Sequence, residues 1–138
     1  EDPARAFVHP GIGERPLHAC SCSKAIAAFA EESFQNTILR GALQAFTEHT
    51  KTTRSEILAE FDTIRSQGFA DCDQEIDPGI SSVAAPISIG NIGATFSVGA
   101  VGPVRRFGTE YRHDIGSQLI DLATRISGAI QLCNVAEV

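Results

Sequence analysis

Thiols and an imidazole are the side chains best able to hold a soft metal or to react, and three of them stand together in His18-Ala19-Cys20-Ser21-Cys22. Structural zinc sites usually separate paired cysteines by roughly two to four residues and need four ligands. Here a single serine stands between Cys20 and Cys22, and further ligands would have to come from distant parts of the chain, so no metal is expected. A catalytic thiol needs an electropositive neighbourhood that favours its thiolate, and only His18 and Lys24 supply one nearby in sequence. The residues point first to small side chains packed at a helix start, where free cysteine behaves as a compact hydrophobe. Contact with a bound molecule, and a redox or metal sensor using Cys20, Cys22 and Cys72, are the other readings.

Asp71-Cys72-Asp73-Gln74-Glu75-Ile76-Asp77 places carboxylates at every second residue. A calcium loop opening at Asp71 would need glycine at its sixth position and glutamate at its twelfth; those positions hold Ile76 and Ser82. The alternation predicts the solvated face of a strand, with Asp71 and Asp73 in water and Ala70 and Cys72 turned inward. Gly99-Ala100-Val101-Gly102 lacks the rest of a dinucleotide-binding fingerprint and reads as a strand end where glycine admits a close approach to the backbone. His9, His49 and His113 stand in polar or turn contexts and are expected at the surface. No nucleophile, base and orienting group can be placed in mutual reach, so no enzyme activity is expected.

A chain of 138 residues holds one domain with its own core and has no room for a second. With 43% hydrophobic and 20% charged residues, its composition is that of a folded globular chain. No apolar run approaches the roughly 18 to 20 residues of a membrane span. Eleven Lys and Arg against seventeen Asp and Glu give a formal charge of -6, and apart from Arg105-Arg106 the basic residues are scattered. Without the positive stripe that neutralises phosphates, this stretch of chain is not expected to bind nucleic acid. Four cysteines, Cys20, Cys22, Cys72 and Cys133, are sparse for this length and lack a secretory context, which predicts free thiols in a reducing cytoplasm. The opening Glu1-Asp2-Pro3 carries neither an initiator methionine nor a secretory signal and reads as the start of a piece of something longer.

The elements that must position these residues follow from period and punctuation. Pro3 to Pro16 is turn-rich, with a short strand over Ala4 to Val8. Ala25 to Ala30 predicts a helix with Ser21 and Ser23 as candidate caps, and Glu31-Glu32-Ser33 opens a second one carrying Phe34, Ile38 and Leu39, with Gly41 as its stop. Thr53-Arg54-Ser55-Glu56 is a capping box; Ile57, Leu58, Phe61 and Ile64 repeat at helical spacing before Gly68. Strands follow over Phe69 to Asp73, Ile80 to Ile89 and Ala94 to Val101, the last two joined by a hairpin at Gly90-Asn91-Ile92-Gly93. Gly102-Pro103 breaks the last strand and Thr109 offers a cap. Ile115, Leu119, Leu122, Ile126 and Ile130 mark the buried face of a long final helix. This order predicts an α+β domain with an antiparallel sheet packed on helices.

Six segments in this order carry a resemblance: Gly13-Glu14-Arg15-Pro16-Leu17-His18-Ala19, Ser23-Lys24-Ala25, Ile64-Arg65-Ser66-Gln67-Gly68-Phe69-Ala70, Glu75-Ile76-Asp77-Pro78-Gly79-Ile80, Val83-Ala84-Ala85-Pro86-Ile87 and Gly102-Pro103. Together they resemble the C-terminal effector-binding domain of the IclR family of bacterial transcriptional regulators, from about Val8 to the final helix. The resemblance implies a GAF/PAS-like curved antiparallel sheet flanked by helices on one side, with a small-molecule pocket in its concave face. It implies that residues 1-138 are that domain without its first helix and strands, and that a winged helix-turn-helix DNA-binding domain precedes it. Further implications are a cytoplasmic regulator that is not an enzyme, needs no cofactor, forms a homodimer or homotetramer, and answers to a small organic acid.

Matched motif by motif, the family's pocket implies Ser21 and Cys22 at the helix start, Cys72, Ile80 and Ser82 on the strand pair around the acidic segment, and Gly99 and Val101 on the last strand. Parity agrees, since residues two apart on a strand share a face. Ser23 stands where relatives commonly have glycine, Cys72 where they often have an acid, and Gly99 and Val101 where small polar residues are common. These departures make the pocket less polar. Free N–H groups near Ser21, Cys22 and Ser23, with the Ser21 and Ser82 hydroxyls, suit a carboxylate. Ile80 and Val101, with space at Gly99, suit an apolar body.

Overall fold

The computed structural model describes residues 14–136, so the strand expected over Ala4 to Val8 lies outside the described residues. The elements run α1 (Ser21–Ala27), α2 (Glu32–Ile38), α3 (Arg54–Gln67), β1 (Ala70–Asp73), β2 (Ile80–Ser88), β3 (Ala94–Pro103) and α4 (Thr109–Ala136), with a short 3-10 turn at Gly90–Ile92 in the hairpin. The three strands form an antiparallel sheet in the order β1-β2-β3. The α+β class therefore stands among the described residues.

Period and capping explain most of this. At the start of α3 the Thr53 hydroxyl accepts the Glu56 N–H while the Glu56 carboxylate accepts the Thr53 N–H. At its end Gly68 takes a left-handed φ of 90° and donates its N–H to the Ile64 carbonyl. Three predicted boundaries moved, one of them at α4, where Thr109 is the first helical residue and not the cap. Ser21 is the first helical residue of α1 and Cys20 holds the cap position, so neither Ser21 nor Ser23 caps. Strand β3 runs on through Gly102-Pro103, with Pro103 opposite Ile80. An edge strand can accept proline, because one side of its backbone makes no ladder bonds. No strand pairs with the outer edge of β3 among the described residues.

Helices cover both faces of the sheet, rather than the single face that the resemblance implied. On one face Ala70 and Ala84 pack with Ala25 and Ala28 and with Ile57, Phe61 and Ile64 of α3. On the other, Val83, Ala85 and Ile87 pack with Phe69, Phe107, Leu119 and Ala123. Strand β2 is thus buried from both sides, which alternation alone does not reveal. The buried stripe of α4 is also rotated from the predicted one: Arg112, Gly116, Leu119 and Ala123 face inward, whereas Leu122 is exposed and Ile130 is half-buried. Two residues cause the rotation. Gly116 has no side chain where the Phe69 ring lies, and Arg112, only 2% exposed, is drawn in by Asp71, whose Oδ1 accepts from Arg112 Nε at 2.6 Å. Asp71 therefore faces α4 instead of water, while Asp73 stays exposed and accepts the Ser81 hydroxyl at 2.7 Å.

Helix α1 has seven residues and no side-chain cap bond, too few to hold itself in water. Its place is set by Lys24, whose side chain is 0% exposed and whose Nζ lies 2.6 Å from Glu75 Oε2 and 2.8 Å from Glu60 Oε2. Lys51 meets the other oxygens of the same carboxylates, at 3.0 Å from Glu75 and 3.3 Å from Glu60. Charges in this cluster balance. The loop before α3 seats Glu75: the Thr47 hydroxyl donates to the Gln74 carbonyl and the Thr50 hydroxyl to the Glu75 carbonyl, both at 2.6 Å. Glu75, expected on a solvated face, is thus buried. Burial opposes the charge on Lys24, yet the carboxylates of Glu60 and Glu75 hold the ammonium above its ordinary range. Burial opposes the charge on Lys51 too, as does Lys24, and Glu60 and Glu75 again prevail.

Replacing Lys24 by methionine strands two buried carboxylates on Lys51 alone, and urea unfolding should show a loss of about 3 to 5 kcal/mol; an unchanged midpoint would mean that the ion pairs do not seat α1. Raised amine pKa values stabilise fully below the unfolded amine range and cease to do so as pH climbs through the folded values. Stability should therefore fall above about pH 10, and Lys24→Met should flatten that fall. At Gly116 an added Cβ would lie 2.6 Å from the Phe69 ring. Overpacking costs about 1 to 3 kcal/mol against a helix-propensity gain of about 1 kcal/mol. Gly116→Ala should thus lower the melting temperature, and a rise would show that the ring yields freely.

Candidate functional site

The sheet register brings the strand residues of the expected site onto one face. Cys72, Ser82 and Val101 stand opposite one another across β1, β2 and β3. Ala70, Ala84 and Gly99 form the next row, and Ile80 lies two residues from Ser82 on the same side. Helix α1 crosses this face. A Cβ on Gly99 would sit 3.0 Å from Cys22 Sγ, 3.0 Å from the Val83 carbonyl oxygen and 3.2 Å from Ala84 Cβ. Glycine at 99 does admit a close approach, but what approaches is Cys22 of the protein's own α1. Gly99 itself stays exposed.

Exposure grades across the seven residues. Ser21 and Cys72 are buried, Cys22, Ile80 and Ser82 are half-buried, and Gly99 and Val101 are exposed, Val101 at 41%. The face is covered where α1 crosses it and opens toward the free edge of β3. A cleft of about 470 Å³ lies elsewhere, against Ala28, Phe29, Leu58, Arg54 and Arg65, and none of the seven lines it.

Electrostatics at the helix start differ from the expected anion cradle. Cys20 occupies the cap position without a formed cap hydrogen bond, but its sulfur is close enough to feel the exposed N–H groups. The Cys22 thiol is the largest influence; together with the N–H groups of Ser23 and Cys22 it outweighs burial and lowers the Cys20 pKa to about 5. Cys22, sharing a hydrogen with Cys20 and itself partly buried, is pushed up. The thiolate of Cys20 thus takes a share of the positive potential that a ligand carboxylate would use. Cys72 is pushed up by complete burial and is no nucleophile at neutral pH. His18 is turned to the Gln44 carbonyl at 2.8 Å and stacks with Phe46, so the helix-start imidazole is engaged by the segment that follows α2.

Glu60, Cys72 and Glu75 each bring one ligand atom within 4.8 Å of the others. These residues do not fit a metal ion, because the Lys24 ammonium already contacts both carboxylates and supplies the positive charge that an ion would bring. Lys24, Glu60, Glu75 and Arg112 are the residues that sequence reasoning passed over as a buried polar framework. A signal for Lys24 was present: it is a lone cation inside an alanine-rich run, three residues after Ser21 and four before Ala28, on the stripe that faces inward. Nothing comparable marks Arg112, which sits in a polar stretch.

Known proteins share both the sequence and the fold. The chain is 32% identical to the HTH-type transcriptional regulator BhcR of Paracoccus denitrificans over 126 residues, covering 89% of this chain and 44% of that protein. It superposes on the IclR transcriptional regulator of Alicyclobacillus acidocaldarius with a TM-score of 0.80 at 22% identity, covering 88% of this chain and 49% of the other. With the inducer-binding domain of the PobR transcription factor from Acinetobacter, solved as a double mutant in complex with 3-hydroxybenzoic acid, the TM-score is 0.75 at 21% identity, covering 91% and 75%. The chain spans less than half the length of the curated relatives it matches. Residues 1–128 match the family described as the bacterial transcriptional regulator IclR C-terminal domain, and the chain belongs to that family.

Proposed function

We propose that this chain is the small-molecule sensing part of an IclR-family transcription regulator, and that its effector lies against Ser21, Cys22, Cys72, Ile80, Ser82, Gly99 and Val101. The observation that carries the reading is the common face: the strand residues share one side of the sheet, and α1 lies over that side with Cys22 on Gly99. The class of effector proposed is a small organic acid. A related inducer-binding domain holds 3-hydroxybenzoic acid, and the half-buried Ser82 hydroxyl offers a donor beside the apolar Ile80 and Val101. DNA contacts of the whole regulator would come from a preceding helix-turn-helix domain, in a homodimer or homotetramer. Binding would act by shifting the balance between arrangements of those domains, to the extent that it favours one of them.

Native mass spectrometry of the purified protein, searched for a co-purified acid, tests the ligand class directly; a neutral or cationic ligand would reject it. With the acid in hand, Ser21→Ala and Ser82→Ala should each weaken calorimetric binding by about 1 kcal/mol, and unchanged affinity in both would remove these residues from the site.

One observation favours a second reading, a redox sensor narrowed to Cys20 and Cys22: the lowered pKa of Cys20. Iodoacetamide should alkylate Cys20 at nearly the same rate at pH 6 and pH 8, whereas a free thiol such as glutathione slows by roughly a hundredfold between them. Parallel profiles for Cys20 and glutathione would dismiss the redox reading.

A further inference from the structure

We propose that the cleft bounded by the end of α1, by α2 and by α3 is a second small-molecule site, for an organic carboxylate with a flat apolar body. Its volume is about 470 Å³, within the roughly 300 to 1,000 Å³ usual for small-molecule sites, and it shares no residue with the proposed effector face. Ala28 and Leu58 give it an apolar floor, and Phe29, 44% exposed at the end of α1, offers a ring on which a flat ligand can lie.

The walls are held before any ligand arrives. Gln35 of α2 donates from Nε2 to the Ala27 carbonyl at 2.9 Å, and Arg65 of α3 donates from Nη1 to the Ala28 carbonyl at 2.7 Å. Both bonds reach carbonyls at the open end of α1, where a helix end leaves backbone acceptors available; the Ala27 carbonyl also accepts the Ala30 N–H at 3.2 Å.

Charge selects the ligand. Two guanidiniums, Arg54 and Arg65, line the cleft against a single carboxylate, Glu32. Arg65 shares its charge with Asp62. Arg54 reaches only the amide oxygen of Asn36, and among the described residues it meets no carboxylate. It also stands in the first turn of α3, where the helix dipole disfavours a cation. A ligand carboxylate would give Arg54 the paired, two-bond partner that an amide cannot.

The test is a titration of the 15N-labelled chain with 2-naphthoate, with 2-naphthalenemethanol as the uncharged control. Saturable shifts are expected at the amides of Phe29, Ala30, Asn36 and Leu58, with affinity falling about tenfold in Arg54→Gln and no saturable response to the alcohol. Arg54→Gln removes a cation from a helix start, so its thermal midpoint should hold and lost binding will report the site. Three results would overturn the proposal: no saturable shifts at those amides, equal affinity in Arg54→Gln, or equal response to the alcohol. Shifts confined to Cys22, Ser82 and Gly99 would do the same while supporting the effector face, so the two readings fail separately.

Discussion

The contact on which the rest of the domain depends is the pair of ionic contacts from Lys24 to Glu60 and Glu75. A seven-residue helix does not select a position by itself, and the alanines that α1 presents to the core are too small to fix one by shape. Ion pairs at both carboxylates do, because moving α1 by one turn would leave a buried ammonium unpaired and both carboxylates on Lys51 alone. Everything at the start of the helix follows from that anchor. Cys22 meets Gly99 because Lys24, two residues on, is held between α3 and the turn after β1. The second cation, Lys51, makes the arrangement tolerable by bringing two carboxylates and two ammoniums to balance in one place.

Burial of this cluster also explains why its chemistry is structural. Three potential metal ligands converge there, and a search for ligand spacing in the sequence would miss them, since they come from α3, β1 and the following turn. With Lys24 among them the site already holds its cation. Cys72 sits against this neutral cluster, fully desolvated, so its thiol stays protonated. On its sheet face it offers surface, polarisability and a weak donor, in contrast to Cys20, which lies where backbone N–H groups favour charge.

Period and punctuation made the secondary structure legible: the capping box at Thr53 and Glu56, the glycine stop at Gly68 and the hairpin between β2 and β3 all stand. Ordered motifs likewise made the family legible. What escaped were the places where a polar side chain is buried by a partner distant in sequence. Asp71 and Glu75 read as solvated because alternation predicts which side a residue faces, and not whether a cation from another element waits there. The same blindness displaced the inward stripe of α4, since hydrophobic periodicity gives no weight to Arg112 or to Gly116, whose value is the ring of Phe69 it admits. At the site, parity correctly grouped the strand residues, but a glycine in a sequence cannot say which group will use its space.

That last point bears on what the sheet face can recognise. With Cys22 packed beside Gly99, and with Cys20 drawing on the N–H groups of the helix start, two features of this face are partly committed to the protein itself. The half-open part of the face carries the Ser82 hydroxyl, between the buried Cys72 and the exposed Val101, and the half-buried Ser97 two residues from Gly99 on β3. A carboxylate placed at the helix start would have to compete with a neighbouring thiolate, an unfavourable approach of like charges, whereas one directed along the row toward Val101 would not. The open part of the face is thus the row from Cys72 through Ser82 to Val101, with Ile80 two residues from Ser82 on the same side, and its exposure rises toward the free edge of β3.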